Sequence, residues 1–104
     1  MKIQLLIGMI LFPGLVLADE NSAIDQLQRS WAHVNYELTG KEQLQAFEEL
    51  LVSAEQETSA NSDSAPLWVW SGIIKSTYAG AKGGLGALGL AKDAKRDLEK
   101  AIAI

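Results

Sequence analysis

The residues in this 104-residue chain that come closest to a known chemical device are Gly84-Leu85-Gly86-Ala87-Leu88-Gly89, which fit G-x-G-x-x-G letter for letter. That spacing binds a dinucleotide when a strand delivers the loop and a helix N-terminus receives the pyrophosphate. An acid about twenty residues further on must then hold a ribose. Fifteen residues follow Gly89, which leaves no room for a second strand. No lysine followed by serine or threonine completes a phosphate-cradling loop either. The glycines read instead as a loop that permits positive φ and close backbone approach between helices. Gly80 and Gly84 also make a G-x-x-x-G spacing, a helix-contact signal in lipid, but Lys75 and Lys82 argue against a membrane span there.

Other reactive types are scarce. With no cysteine, thiol nucleophiles, disulfides and thiolate metal sites are all excluded. His33 is the one histidine, and Glu37 one turn later suits a helix-surface ion pair rather than a catalytic base or a ligand set. Glu48 and Glu49 are adjacent, about 100° apart on a helix, so their carboxylates diverge and cannot share acid and base work. Ser22, Ser30 and Ser71 have no histidine in context to activate them. The sequence therefore predicts no catalytic residue, no cofactor site and no metal site. A net charge of −4 argues against nucleic acid, because phosphate binding needs clustered Lys and Arg.

The N-terminus has a different character from the rest. Lys2 is followed by an uncharged apolar run from Ile3 to Leu17, broken near its end by Pro13-Gly14. Val16-Leu17-Ala18 then places small or modest residues ahead of Asp19-Glu20, the order of a cleaved signal peptide over 1–18. The apolar run falls short of the ~20 residues a spanning helix needs, so no stable membrane span is expected after cleavage. No cysteine follows the site, which excludes a lipoprotein. The expected destination is the bacterial periplasm or beyond it.

Residues 19–104 form one small domain in which the predicted elements are all helical. Ser22 and Asp25 resemble a capping box, and Ile24, Leu27, Trp31, Val34 and Leu38 make one apolar stripe. Thr39-Gly40 closes that helix, with Gly40 suited to the left-handed position. Leu44, Phe47, Leu51 and Ala54, widened by Ala46 and Leu50, form a second stripe after a short connection. The two helices are expected to pair antiparallel. Residues 58–65 are small and polar and read as a linker. Ser64 or Asp63 caps a third helix with Pro66 in its first turn and Leu67, Trp70, Ile74 and Tyr78 at helical spacing. Ala79 to Gly89 reads as a glycine-dense loop. The pattern resumes through Leu88, Ala91, Lys92, Lys95, Leu98 and Ile102, with Ala94 and Ala101, to the end. The predicted architecture is two antiparallel helical hairpins. Charge divides at the linker: residues 19–63 hold ten acids against two bases, and residues 64–104 hold six bases against three acids. The two halves should attract, by a modest amount at physiological salt.

Two resemblances follow from these residues. Ala94-x₃-Leu98-x₂-Ala101, with Gly89 five residues earlier, resembles the second helix of a tetratricopeptide repeat. Tyr36 with Gly40, Ala46-x₃-Leu50-x₂-Ser53 and Trp70-x₂-Ile73 resemble other parts of that repeat, although the stretch between the third and fourth helices reads as longer than a repeat permits. Residues 66–104, including Leu67-Trp68-Val69-Trp70-Ser71-Gly72-Ile73-Ile74 and Ser76 to Leu90, resemble uncharacterised exported tetratricopeptide-type proteins of proteobacteria. Members of that group continue past this point with a further repeat, so the chain is expected to be a short or truncated member. The resemblance implies no reaction. It implies a non-catalytic protein that binds a protein or peptide partner in the groove between stacked hairpins. Candidate contacts are Trp31, Asn35 and Tyr36, or Trp68 and Trp70, since tryptophan is enriched at binding hot spots. Trp68 and Trp70 project to opposite sides of their helix, so one of them is expected in the core. The apolar flanks of the last helix add an expectation of self-association. The rival reading is a secreted membrane-active or toxin-like small protein, drawn from the glycine-rich, lysine-bearing segment.

Overall fold

The computed structural model describes residues 19–104, and the expected signal peptide at 1–18 lies outside the described residues. The described residues are all-helical: α1 (Glu20–Glu37), α2 (Gly40–Ala60), α3 (Ala65–Lys82) and α4 (Gly86–Ala103), with no strand among them. None of these helices is long and apolar enough to cross a membrane.

The first helix starts earlier than the Ser22–Asp25 pattern predicts. Asp19 is the cap, its Oδ1 accepting the Ser22 backbone N–H at 2.8 Å. Asp25 instead pairs with Arg29 one turn on, at 2.8 Å. Ala23, Leu27 and Val34 are buried from α1, with Ile24, Trp31 and Leu38 packed against the same core. Gly40 takes the left-handed φ of +61° and opens α2. From the first turn of α2, Gln43 Nε2 reaches back to the Val34 carbonyl at 3.0 Å and satisfies a group that the end of α1 would leave open.

Half of the linker predicted at 58–65 is helix. The helix α2 runs through Ala60, and the buried Thr58 hydroxyl lies 3.1 Å from the Ala54 carbonyl, which lets a small polar residue stay in the helical face. The turn is confined to residues 61–64. There Ser64 accepts the Leu67 N–H at 3.3 Å and donates to Glu20 at 2.6 Å, tying the starts of α1 and α3 together.

The central element is α3. It packs on α1, α2 and α4, whereas among the helices α4 packs on α3 alone. One side of α3 buries Leu67, Ile74 and Tyr78 in one core cluster with Phe47 and Leu50, Tyr78 stacked on Phe47 at 5.6 Å between ring centroids. The glycine-dense loop predicted from Ala79 to Gly89 shrinks to residues 83–85. Gly83 and Gly84, at φ +67° and +66°, make the whole reversal, and the remaining glycines sit inside helices. Gly89 is helical with open space around it, so positive φ is not its role.

The inward stripe of α4 also differs from the predicted one. Ala94, Asp97 and Ala101 are buried, while Ile102 is 85 % exposed and Leu88 57 %. The reason lies on α3: Gly72 brings the helices so close that a Cβ there would stand 2.7 Å from Leu98 Cγ. Leu98 lays its side chain over that glycine, while Leu88 and Ile102 are turned outward.

Candidate functional site

Three of the five candidate residues are drawn together by α1 and α3. Trp31 lies edge-on to Trp70, with ring centroids 5.7 Å apart, and edge-on to Tyr36 at 5.6 Å. The Trp31 indole N–H donates to Thr77 Oγ1 at 3.0 Å, and the Thr77 hydroxyl in turn lies 2.8 Å from the Ile73 carbonyl. Trp31 is thus held both by ring contacts and by a polar tether into α3. Trp31 and Trp70 are half-buried and pack against the core, so each combines a fixed ring with an open edge. Tyr36 is 74 % exposed. Asn35, its neighbour in sequence on α1, is half-buried. Such a platform presents apolar ring surface whose ordering is already supplied by the fold.

Trp68 is not part of it. Its indole donates to the Ser62 carbonyl at 2.9 Å, and Lys100 of α4 sits 4.9 Å from its ring centroid. The opposite-sides expectation holds for Trp68 and Trp70. Of the two it is Trp70 that packs against the core, although both are only half-buried.

The other notable constellation is polar and buried. Asp97 on α4 accepts the Ser71 hydroxyl at 2.6 Å and pairs with Lys75 Nζ at 2.7 Å, and Glu55 of α2 stands 3.5 Å from the same ammonium. Ser71 is fully buried, and the side chains of Lys75 and Asp97 are 8 % and 6 % exposed. The serine hydrogen is committed to Asp97 and its oxygen faces no solvent, so this is a lock between three helices. Neither Ser71, Lys75 nor Asp97 was a sequence candidate for this arrangement. The signal was present nonetheless: Ser71 and Lys75, one turn apart, fall on the Leu67–Ile74–Tyr78 stripe, and Asp97 falls between Ala94 and Ala101.

Elsewhere, His33 Nδ1 and Glu37 Oε1 lie 2.8 Å apart on the exposed face of α1, as the spacing predicts. Asp19 has its carboxyl held below the ordinary aspartate value, chiefly by the Ser22 backbone N–H. Among the described residues no group of three or more His, Asp or Glu is placed to hold a metal. Open grooves lie at both ends of the helical array: one between α1 and α2, the other between α3 and α4. No known family model, curated protein or solved structure matches the chain.

Proposed function

We propose that this chain is an exported, non-catalytic, tetratricopeptide-like protein that binds a protein or peptide partner across α1 and α3. The observation that carries this reading is the Trp31–Trp70–Tyr36 platform with its Thr77 tether. The helix arrangement supports it too. Pairs of helices joined by short connections, with the first helix of the second pair seated on both helices of the first, are the packing of a stacked repeat. The three-residue connection after Lys82 removes the one feature that reads as too long for such a repeat. The partner is expected to be an extended segment with an apolar or aromatic anchor, because the platform presents ring surface rather than a cluster of one charge.

The test is selection of peptides from a random display library on the full chain, followed by titration of the selected peptides against tryptophan fluorescence. Binding should fall about tenfold or more in Tyr36→Ala and Trp70→Phe and stay unchanged in Trp68→Phe. Selected peptides that bind equally well to all three variants would refute the site. Export is tested separately: mass spectrometry of the exported protein should find Asp19 at the N-terminus, and Met1 on a membrane-bound chain would refute it.

A further inference from the structure

We propose that copies of this chain associate head to tail, the outer ridge of α4 of one copy seating in the α1/α2 groove of the next. This surface is separate from the aromatic platform, so either reading can fail without the other.

The α1/α2 groove, of about 560 Å³, has an apolar floor of Val34, Leu38, Ala46 and Leu50. It lies on the side turned away from α3: Ser30 and His33, which line it, are about 100° and 200° around the helix from Trp31, which faces α3. Continuing along the same two helices, Ser30, Leu50 and Ser53 also line a second hollow with Gln56 and Glu57. Arg29, the cation lining this groove, is already engaged by Asp25, and His33 sits against Glu37. The acids are not. Glu49 lines the groove with no ion pair among the described residues, and Glu57 Oε1 is buried with no hydrogen-bond donor reaching it among the described residues. A buried carboxylate oxygen without a donor is a costly feature that an incoming cation would relieve. The occupant this groove asks for carries cations spaced among apolar side chains.

The chain itself has such an element. On α4, Leu88, Lys92, Lys95, Glu99 and Ile102 recur at helical spacing along the exposed side, with Leu98 beside them, so the two lysines outweigh the one acid of the ridge. The apolar part of that ridge borders a second groove, of about 530 Å³, formed with Ala65, Pro66 and Val69 of α3. Lys92 and Lys95 have no ion-pair partner among the described residues, whereas Arg96 is taken by Asp93 and Lys100 lies over Trp68. Six bases against three acids in residues 64–104 thus meet ten acids against two bases in residues 19–63 of the next copy. Because the two surfaces differ, the contact is heterologous and adds copies in a row rather than closing a pair.

Charge exchange tests this on the full chain by sedimentation velocity across protein concentration, with circular dichroism to confirm that each variant is helical. One variant carries Lys92→Glu and Lys95→Glu, the other Glu49→Lys and Glu57→Lys. The unaltered chain should associate with rising concentration and less so at high salt. Each variant alone should associate at least about tenfold more weakly, and an equimolar mixture of the two should recover association. Glu57→Gln, which removes the charge with little change of shape, should weaken association in the same direction. The proposal is overturned if the unaltered chain is a monomer at all concentrations. It is also overturned if the Glu49→Lys/Glu57→Lys variant associates like the unaltered chain, which would mean α4-to-α4 pairing or contact through residues 1–18. A mixture that fails to recover, with both variants helical, overturns it as well.

Discussion

Replacing Asp97 with alanine should detach α4 from the rest of the fold. The substitution removes the carboxylate 2.7 Å from Lys75 Nζ and the acceptor 2.6 Å from Ser71 Oγ, both in buried surroundings. Glu55 remains, but it is 3.5 Å away with a side chain 56 % exposed, so it returns little of the lost attraction. Stranding one partner of a buried pair costs about 3–5 kcal/mol. The Ser71 hydroxyl can fall back on a carbonyl of its own helix, and the lysine can slide toward Glu55 and water, so the lower end, about 3 kcal/mol, is expected. A domain of this size holds roughly 4–13 kcal/mol in total, at about 0.05–0.15 kcal/mol per residue. The loss is therefore a large share of the whole, and it falls on the helix that packs on α3 alone.

The same reasoning makes a sharper demand on a triple replacement. Ser71→Ala, Lys75→Met and Asp97→Leu together substitute apolar side chains of similar shape for the whole network. Such exchanges are neutral or stabilising by about 1–4 kcal/mol, because no charge is left to desolvate. Urea unfolding followed by circular dichroism measures both. The single variant should lower the midpoint strongly or lose helix content in water, and the triple variant should regain the original midpoint or exceed it. A single variant within about 1 kcal/mol of the unaltered chain would refute the idea of a buried, paired charge. A triple variant as unstable as the single would show that the polar contacts, rather than their pairing, hold α4 in place.

Three further outcomes are expected. Gly72→Ala places a Cβ 2.7 Å from Leu98 Cγ and 3.3 Å from the Ala94 carbonyl, so crowding of about 1–3 kcal/mol should outweigh the ~1 kcal/mol gained in helix propensity. Thermal melting should show that loss, and Leu98→Ala made alongside should recover part of it. Gly89→Ala, in a helical position with open space, should raise stability by about 0.5–1 kcal/mol and a lower melting point would contradict its helical assignment. Because the Asp19 carboxyl is held below its ordinary value, its capping contribution is complete above that value and lost as pH falls through the depressed one. Amide protection at Ser22 and Ala23, after division by the intrinsic exchange rate at each pH, should therefore fall on acidification, and Asp19→Asn should remove that pH dependence while keeping a cap.

The parts of this fold that were legible in the sequence are those where local pattern and tertiary packing agree. The stripes of α1 and α2, the Ser64–Pro66 start of α3 and the reversal at Gly40 each rest on a period or a turn residue that acts within one or two helical turns. Residues 58–65 and 79–89 misled for the opposite reason. Small polar residues and glycines weaken a helix locally, but Thr58 bonds back to its own helix, and Ala79 is buried on α3. Propensity is a preference of about 1 kcal/mol per residue, and packing overrides it. Of the candidate site, Trp31, Tyr36 and Trp70 were recognisable by type, whereas Thr77, which fixes Trp31 from forty-six positions away, could be found only by folding the chain.

Asp97 shows why the outer surface of α4 was also misread. Counting apolar residues selects the ridge of Leu88, Leu98 and Ile102 as the buried one. That choice ignores what α3 presents: a glycine that lets α4 come close and a lysine that must be neutralised. Ala94, with Leu98 beside it, meets the first condition and Asp97 the second, and Ala101 is buried as well. Once Ala94, Asp97 and Ala101 face inward, helical geometry turns Leu88, Lys92, Lys95 and Ile102 outward. The exposed ridge is thus a direct consequence of close α3–α4 packing, and Gly72, Lys75 and Asp97 decide together which residues of α4 are left exposed.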